Sequence, residues 1–342
     1  MKKTQHEILN ASIENLADYI NKHAKDFPNN EDCSICMQRR NCSKAHHYER
    51  LKGILETDPE LTKHPHLLRF IKKVPFILYI VPKFIFYTWD GYKRNLGCPS
   101  LGIIQNIQKI QQCWGLLSDE MSKRAYFDVL MYRLTFNCDY LNDAFSESVE
   151  YFDVFSGLSS NEVVVDCGAF TGDSLEAYLL NNAIPQKYIL YEPDPGNAKE
   201  LEKTIKRLKA NDYCIVRQMG IGSDKQHMYL CGDKQAASYL MEECGTESLF
   251  VEVTSVDCDN EIFNLPVSLI KMDIEGYELK GLLGAKETIH KYSPKLAICL
   301  YHKPSDLWEI ILLIKELNPE YSNYIIRHYH KYSFTETILY VY

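Results

Sequence analysis

Residues 161–174, with the sequence NEVVVDCGAFTGDS, decide the fold of this chain. The β-branched run at residues 163–165 suits a buried parallel strand. Asp166 ends the strand, and Gly168 and Gly172 let the backbone turn tightly and let a ligand come close. The stretch therefore predicts a strand, a sharp turn and a helix whose N-terminus faces a nucleotide-like ligand.

The acid at the end of this strand distinguishes the loop from the fingerprint of a dinucleotide-binding motif. That fingerprint reads Gly-x-Gly-x-x-Gly and places a pyrophosphate on the helix N-terminus. Asp166 would repel a pyrophosphate, whereas it could hold a cationic group such as an ammonium. A purely structural turn in which Asp166 caps the helix would have the same spacing, so the loop alone does not settle the ligand.

A second acid stands where folds of this kind bind a ribose. Residues 188–193 read YILYEP, another short apolar strand that ends in an acid, and Glu192 follows Asp166 by 26 residues. A carboxylate at about this distance accepts hydrogen bonds from ribose hydroxyls in nucleotide-binding α/β folds. Glu192 is therefore the predicted ribose ligand.

Length and charge narrow the class of protein. The chain has 342 residues, which favours two domains or one domain with a long extension. Its formal charge of −8 gives no general field that would attract nucleic acid, so we expect no nucleic-acid partner. The longest apolar run, residues 74–89, is interrupted by prolines and a lysine and is shorter than the roughly 20 residues that span a bilayer, so we expect no membrane span.

The cysteines favour a cytoplasmic location. The chain has twelve of them, and Cys167, Cys214 and Cys299 lie in predicted core strands. No signal peptide opens the sequence. We therefore expect a reducing compartment.

Residues 33–47 form a cysteine-rich segment with the spacing of a metal site. Three thiolates and an imidazole suit tetrahedral zinc, and thiolate-rich loops also hold iron–sulfur clusters, so the identity of the metal stays open. Free thiols are the alternative. The predicted ligands are Cys33, Cys36, Cys42 and His46.

From residue 163 onward, strands and helices alternate, as in a parallel sheet with helical crossovers. Residues 218–260 interrupt this order with a hairpin, a loop and one alternating strand. The last two strands, 321–327 and 336–342, have no helix between them and predict an antiparallel hairpin. We expect an α/β protein: a seven-stranded sheet with a C-terminal hairpin in a domain at residues 151–342, after a smaller helical or mixed α/β region at residues 1–150.

Three motifs together resemble the FkbM-type family of S-adenosylmethionine-dependent methyltransferases. They are VVVDCGAFTGDS at 163–174, YEP at 191–193 and LIKMDIEGYE at 269–278. The resemblance covers roughly residues 150–330. It implies a class I methyltransferase (Rossmann-like) fold, methyl donation from S-adenosylmethionine, and O-methylation of a hydroxyl on a sugar, a glycan or a secondary metabolite.

The resemblance also implies which residues bind the donor. Asp166, Gly168 and Gly172 would surround its methionine moiety, and Glu192 would hold its ribose. The remaining predicted cofactor-binding residues lie in the glycine loop and in the turn expected near the adenine: Ala169, Ser223 and Asp224.

Methyl transfer to an alcohol needs help with the proton of the acceptor, whose pKa lies near that of water, about 15.7. Asp273 stands at the carboxyl end of a predicted strand and Glu275 follows it, so either could accept a proton or help to hold a divalent cation. His302 follows the next strand and titrates near neutrality, which makes it a further candidate base. Favourable charge at a helix N-terminus would equally explain Glu275, and helix capping would explain His302.

Two other functions are consistent with parts of the sequence. A nicotinamide-dependent oxidoreductase predicts a phosphate-binding glycine loop and no terminal hairpin, and this sequence matches neither expectation. A noncatalytic binding or interaction protein with the same fold would keep Asp166, Gly168 and Glu192, so these residues do not exclude it.

Overall fold

A computed structural model of the chain describes residues 102–342 except 104, 136–138, 149, 156, 234–236, 242–247, 260–261, 263 and 332. The predicted metal ligands Cys33, Cys36, Cys42 and His46 lie outside the described residues. Residues 1–101 of the N-terminal region, which was expected to span residues 1–150, also lie outside the described residues. These predictions stay predictions.

Three helices precede the first strand: α1 (Ile107–Leu116), α2 (Glu120–Thr135) and α3 (Asp139–Ala144). Ser118 is followed by two acids, Asp119 and Glu120, a pattern that predicts Ser118 as the N-cap of α2. In the structure the Ser122 N–H donates to Asp119 Oδ1 at 2.6 Å. A carboxylate directly before the helix satisfies a free N–H of the first turn, so the cap is one residue later than expected.

The central sheet has seven strands, as predicted. In chain order they are β1 (Val163–Cys167), β2 (Lys187–Tyr191), β3 (Cys214–Arg217), β8 (Leu269–Met272), β9 (Lys295–Cys299), β10 (Tyr324–His328) and β11 (Thr337–Val341). Their order across the sheet is β10-β11-β9-β8-β1-β2-β3. Strands β3, β2, β1, β8 and β9 run parallel.

The C-terminal hairpin is also confirmed. Strand β11 pairs antiparallel with β9. Asn323 and Tyr342 exchange two backbone hydrogen bonds, of 3.0 and 3.2 Å, across the open end of the hairpin. The Tyr329 N–H bonds to the Glu336 carbonyl at 2.9 Å beside the turn. A connection of a few residues permits only this antiparallel return.

Helices connect the parallel strands: α4 (Asp173–Asn181), α5 (Pro195–Leu208), α6 (Glu278–Leu283), α7 (Lys286–Tyr292) and α8 (Asp306–Leu317). The sequence pattern predicts a single helix over residues 276–290, but the structure divides it into α6 and α7. A Cβ on Gly284, between them, would lie 2.1 Å from the Gly222 carbonyl oxygen. The backbone of Gly222 thus comes so close to Gly284, at the break between the two helices, that only glycine fits there.

Residues 218–260 contain a second sheet, which the sequence analysis did not predict. Its strands are β4 (Gly220–Ile221), β5 (Gln226–Asp233), β6 (Ala237–Met241) and β7 (Leu249–Thr254), in the order β4-β7-β5-β6. One face is a small apolar core of Met228, Leu230, Leu240, Val251 and Val253. Alternating hydrophobicity indicated the strands, but it does not say which strands pair.

The chain forms two compact units. One contains the described residues up to Ser146 together with Lys303–Leu307 and Ile326–Thr337. The other contains Glu147–His302, Trp308–Ile325 and Ile338–Tyr342. Every predicted site residue from Asp166 to His302 lies in this second unit. The domain boundary expected at residue 150 stays a prediction.

Two further expectations concern a membrane span and the redox state of the cysteines. None of the helices in the described part of the chain is long and apolar enough to cross a bilayer. Cys167, Cys214 and Cys299 form no disulfide, whereas Cys231 in β5 is disulfide-bonded. The cytoplasmic location stays a prediction.

Candidate active site

The predicted site residues follow the carboxyl ends of neighbouring strands. Gly168 comes directly after β1, Glu192 after β2 and Asp273 after β8. His302 follows three residues after the end of β9. Because parallel strands end at one edge of a sheet, four separate sequence motifs meet there.

The glycines of the loop after β1 are required by the packing of the fold. Gly168 has φ +85°, and a Cβ there would stand 1.8 Å from the Asp273 carbonyl oxygen. Gly172 has φ +95°, and its Cβ would lie 2.9 Å from the Thr204 side chain in α5. We expected room for a ligand, but close approach of β8 and α5 already explains both residues.

Asp166 has an inward partner that the sequence analysis did not identify. Its register partner across β1 and β8 is Lys271, whose Nζ lies 3.1 Å from Asp166 Oδ1. Asp166 Oδ2 accepts hydrogen bonds from Ser174 and Tyr188. Lys271 also donates to the Gly168 carbonyl at 2.7 Å, so Asp166 holds the glycine loop through Lys271. Contact of Asp166 with the donor's methionine moiety stays a prediction.

Lys271 is a cation inside the sheet. Its side chain is 3% exposed, and its Nζ lies 5.0 Å from the centre of the Tyr151 ring. Burial alone would lower the pKa of Lys271, but the carboxylates of Asp166 and Asp273 outweigh burial and raise it. The lysine therefore stays charged and neutralises the buried acid beside it.

Glu192 points into the glycine loop. Its Oε2 accepts the Phe170 N–H at 2.9 Å, and its Oε1 accepts the Asp194 N–H at 2.9 Å. The residue is buried, and burial raises the pKa of its carboxyl to about 7, against the opposing effect of these hydrogen bonds. A buried acceptor thus stands beside the loop, and contact of Glu192 with a ribose stays a prediction.

The other predicted donor-binding residues lie in two places. Ala169 is fully buried, and its N–H donates to the Tyr191 carbonyl at 2.9 Å. Ser223 is half-buried and Asp224 exposed in the turn between β4 and β5. Their roles in binding the donor stay predictions.

Asp273 accepts a hydrogen bond on each of its oxygens. Tyr151 donates to Oδ2 and Tyr301 donates to Oδ1, each at 2.9 Å. Burial alone would raise the pKa of Asp273, but His302, Lys271 and the two hydroxyls lower it. This carboxyl is therefore ionised at neutral pH and is a poor acceptor for a proton.

His302 is enclosed by three carboxylates. Its Nδ1 lies 2.8 Å from Glu278 Oε1, and its Nε2 lies 3.4 Å from Asp273 Oδ1 and 3.6 Å from Glu275 Oε2. Burial opposes the charged ring, but Glu278, Glu275 and Asp273 raise the pKa of His302 to about 10. A ring that is already protonated cannot take a further proton, which argues against His302 as the general base; its role stays a prediction.

Glu275 is the most open carboxylate around His302. Its side chain is 33% exposed, whereas that of Glu278 is fully buried. Burial raises the pKa of Glu275 to about 7, in opposition to His302. Glu278 accepts the N–H groups of Ile274 and Gly276, at 2.9 and 3.4 Å, so it shapes the turn that carries Glu275.

Three of the six non-glycine residues with positive φ in the described part of the chain lie in segments of the site. Tyr151, Phe170 and Glu275 have φ values of +67°, +46° and +55°. Such conformations cost about 1–2 kcal/mol for a residue with a side chain, and they often accompany functional sites. Each of the three belongs to a segment that contacts Glu192, Asp273 or His302.

Lys271, Tyr151 and Glu278 were not among the predicted site residues. A lysine within the apolar strand LIKM is a signal of a buried ion pair. The contact of Tyr151 with Asp273 and the pairing of Glu278 with His302 depend on tertiary contacts, which the sequence does not show.

Comparison with known proteins gives a family-model match and similar solved structures. Residues 166–321 match the family model described as methyltransferase FkbM domain. The crystal structure of methyltransferase FkbM from Methylobacillus flagellatus KT is similar, with a TM-score of 0.59 and 27% sequence identity. The match covers 71% of this chain, and the chain spans 60% of the length of that protein.

A more distant likeness is to an rRNA methylase from Streptococcus thermophilus, with a TM-score of 0.35 and 12% identity over 54% of this chain and 87% of the other. The search of curated proteins gave no match. The expected resemblance to the FkbM-type family and the expected α/β fold of class I methyltransferases are therefore confirmed.

Proposed function

We propose that the chain transfers a methyl group from S-adenosylmethionine to a hydroxyl of a sugar, a glycan or a secondary metabolite. The observation that carries the donor assignment is Glu192, whose carboxylate is held against the glycine loop by the Phe170 N–H at 2.9 Å. It stands at the carboxyl end of β2, beside the loop after β1. This is the arrangement in which α/β folds hold a ribose.

The residues present fit the donor at its ribose end. Glu192 is 6% exposed and offers acceptor oxygens next to backbone that turns through Gly168 and Gly172. At the other end of the donor, the acidic surroundings of Asp273 favour a cation such as an ammonium or a sulfonium. The oxygens of Asp166 already contact protein groups. Asp166 therefore acts on this end of the donor only through Lys271.

S-adenosylmethionine supplies a methyl group on a sulfonium that is already activated, so the protein chiefly aligns the acceptor. Tyr151 and Tyr301 flank the Asp273 carboxylate with their hydroxyls. They can orient an acceptor hydroxyl against this carboxylate. Glu275 is the group we assign to take the acceptor's proton, because it is more open than Glu278 and its oxygens are not held by tyrosine hydroxyls as those of Asp273 are.

Equilibrium titration of the full chain with S-adenosylmethionine and with NAD tests the donor assignment. We expect binding of the former and about 10- to 100-fold weaker binding by Glu192→Ala, the loss of a hydrogen bond to a charged group. Glu200→Ala is the matched control, since Glu200 is an exposed acid on the neighbouring helix α5. Preference for NAD, or an unaffected Glu192→Ala variant, would reject the proposal.

Screening sugars and metabolites with methyl-labelled donor tests the acceptor class. We expect incorporated label that an O-methyl analysis locates on oxygen, and a strong loss with Glu275→Gln. A chain that binds the donor and transfers no label to any acceptor would favour a noncatalytic binding protein with the same fold. Label found on nitrogen would overturn the hydroxyl assignment.

The absence of nucleic acid among the partners also stays a proposal, supported by the net charge of −8. A fluorescence titration with duplex and single-stranded oligonucleotides at low salt should give no saturable binding.

The cysteine-rich segment is proposed to bind zinc or an iron–sulfur cluster. Elemental analysis of the purified chain and of Cys33→Ser should then differ in one metal.

A further inference from the structure

Asp273, Glu278 and His302 bring three potential metal ligands together. Each offers one donor atom, and these atoms all lie within 4.8 Å of one another. Two ligands on opposite sides of a cation with bonds of about 2.1 Å would stand about 4.2 Å apart. A small inward movement of the side chains would therefore bring the three donors into one coordination shell.

Buried atoms in the cluster point independently to a cation. In the described part of the chain, Glu278 Oε2 and both ring nitrogens of His302 have no hydrogen-bond partner. The side chain of Glu278 is fully buried and that of His302 is 4% exposed. Buried polar atoms in folded proteins nearly always have a partner, which can be an ion or an ordered water.

The ring of His302 lies beside both of the other ligands. Its Nδ1 lies 2.8 Å from Glu278 Oε1, although the two atoms are not aligned for a hydrogen bond. Nε2 is directed at Asp273 Oδ1, 3.4 Å away, and at Glu275 Oε2, 3.6 Å away. Both distances exceed a normal hydrogen bond of about 2.7–3.2 Å.

We propose that Asp273, Glu278 and His302 bind one divalent cation, with Glu275 at the rim of the site. One imidazole with two carboxylates suits manganese, iron or zinc better than calcium or magnesium, which prefer oxygen ligands alone. The role of the cation rests on the proposed function: it would bind the acceptor oxygen and make its proton easier to remove. Binding of the cation does not depend on that role.

Titration of the full chain with Mn²⁺, followed by electron paramagnetic resonance of the free ion, tests the site without donor or acceptor. Mn²⁺ is chosen because thiolates, such as those of residues 33–47, prefer softer metals. We expect one saturable site, weakened at least tenfold in Asp273→Asn and in His302→Gln. Glu252→Gln is the matched control, since this acid lies on the second sheet and is 62% exposed, and it should bind as the wild type does.

Thermal unfolding of each variant separates loss of a ligand from loss of the fold. Asp273 is 23% exposed and tolerates substitution better than the buried His302. If His302→Gln does not fold, the binding of Mn²⁺ by Asp273→Asn therefore tests the site. A wild-type chain without a saturable site at millimolar Mn²⁺, or an Asp273→Asn variant that binds normally, overturns the inference. The same follows if Cys33→Ser removes the bound ion and Asp273→Asn does not.

The two proposals fail in different ways. A chain that binds S-adenosylmethionine but no Mn²⁺ keeps the proposed function and loses the cation site. A chain that binds Mn²⁺ at Asp273 but no S-adenosylmethionine keeps the site and loses the function.

Discussion

Two sides of the site hold their carboxylates in different ways. On the Glu192 side, formed by residues 168–172 and Glu192, backbone N–H groups hold one acid. On the Asp273 side, formed by residues 273–278 with Tyr301 and His302, side chains hold three acids around one imidazole. Backbone contacts suit a binding role with fixed geometry, whereas coupled side-chain charges suit a role in which protons or cations move.

Lys271 joins the two sides, because it contacts both Asp166 and the Gly168 carbonyl and lies among the charges around Asp273. This lysine also gives the largest expected effect. Removing one partner of a buried ion pair costs about 3–5 kcal/mol, because the other charge is left buried.

Lys271→Met should therefore lower the free energy of unfolding in urea by about 3–5 kcal/mol. The double variant Asp166→Asn/Lys271→Met should recover much of this loss, since it leaves no uncompensated charge. A Lys271→Met chain within about 1 kcal/mol of wild type would mean that the ion pair does not connect the two sides.

Gly168→Ala tests the contact between the loop and the backbone of Asp273. The new Cβ would meet the Asp273 carbonyl oxygen at 1.8 Å. We expect a loss of about 3 kcal/mol in urea unfolding, from left-handed backbone strain and overpacking together. Gly157→Ala is the matched control, because Gly157 has φ +73° but nothing within 4 Å of a Cβ.

Gly157→Ala should lose only the backbone contribution, about 1–2 kcal/mol. Equal losses at the two positions would mean that the loop does not depend on its contact with β8. The glycine motif would then require another explanation, such as the approach of a ligand.

The pH dependence of donor binding separates the two sides further. Burial raises the pKa of Glu192 to about 7, so its carboxylate is lost as the pH falls through 7. The dissociation constant for S-adenosylmethionine should rise about tenfold per pH unit below 7. Glu192→Gln should bind weakly and lack this dependence, and a parallel pH profile in both proteins would contradict the assignment.

The stability of the fold should depend on Glu192 in the opposite direction. The folded pKa lies above the ordinary value of 4.5, so the folded state binds the proton more tightly than the unfolded chain does. The contribution of Glu192 to stability is therefore largest below about pH 4.5 and decreases as the pH rises through 7. Glu192→Gln should remove this decrease from the unfolding free energy measured between pH 5 and 8.

The smallest expected effect on stability comes from Glu275→Gly. Glu275 has φ +55°, and glycine would relieve the strain at some entropic cost, for a net gain of about 0.5–1 kcal/mol. We expect the same gain in Lys209→Gly, where Lys209 has φ +56° at the C-cap of α5.

Methyl transfer should distinguish these two variants, because only Glu275 belongs to the Asp273 side. Glu275→Gly should lose activity, while Lys209→Gly should keep it. A Glu275→Gly variant that stays fully active would mean that the strained residue has no part in the reaction.

Much of the site was predictable because parallel strands expose their carboxyl ends at one edge. Asp166 near the end of one apolar strand, and Glu192 and Asp273 directly after two others, needed only the recognition of those strands. The partners were not predictable in this way. Lys271 faces Asp166 through the register of β1 and β8, and sequence periodicity does not specify register between strands that are distant in the chain.

The fold shows the same division. The terminal hairpin followed from a connection too short for a helix, whereas the separate sheet of β4 to β7 depends on pairings that alternation does not encode. The N-cap of α2 moved from Ser118 to Asp119, because the Asp119 carboxylate reaches the N–H of Ser122. Local signals locate an element well and its ends less well.

The sequence by itself determined the order of strands and helices, the acids near the strand ends and the motifs that resemble those of the FkbM-type family, because these depend on residue type and local spacing. Only the tertiary structure decided that Gly168 lies against the Asp273 carbonyl, that Lys271 neutralises Asp166, and that three carboxylates surround His302. The physical reason is that charge and close packing act through space. Their strength depends on burial and distance, which residues far apart in the chain acquire only when they fold together.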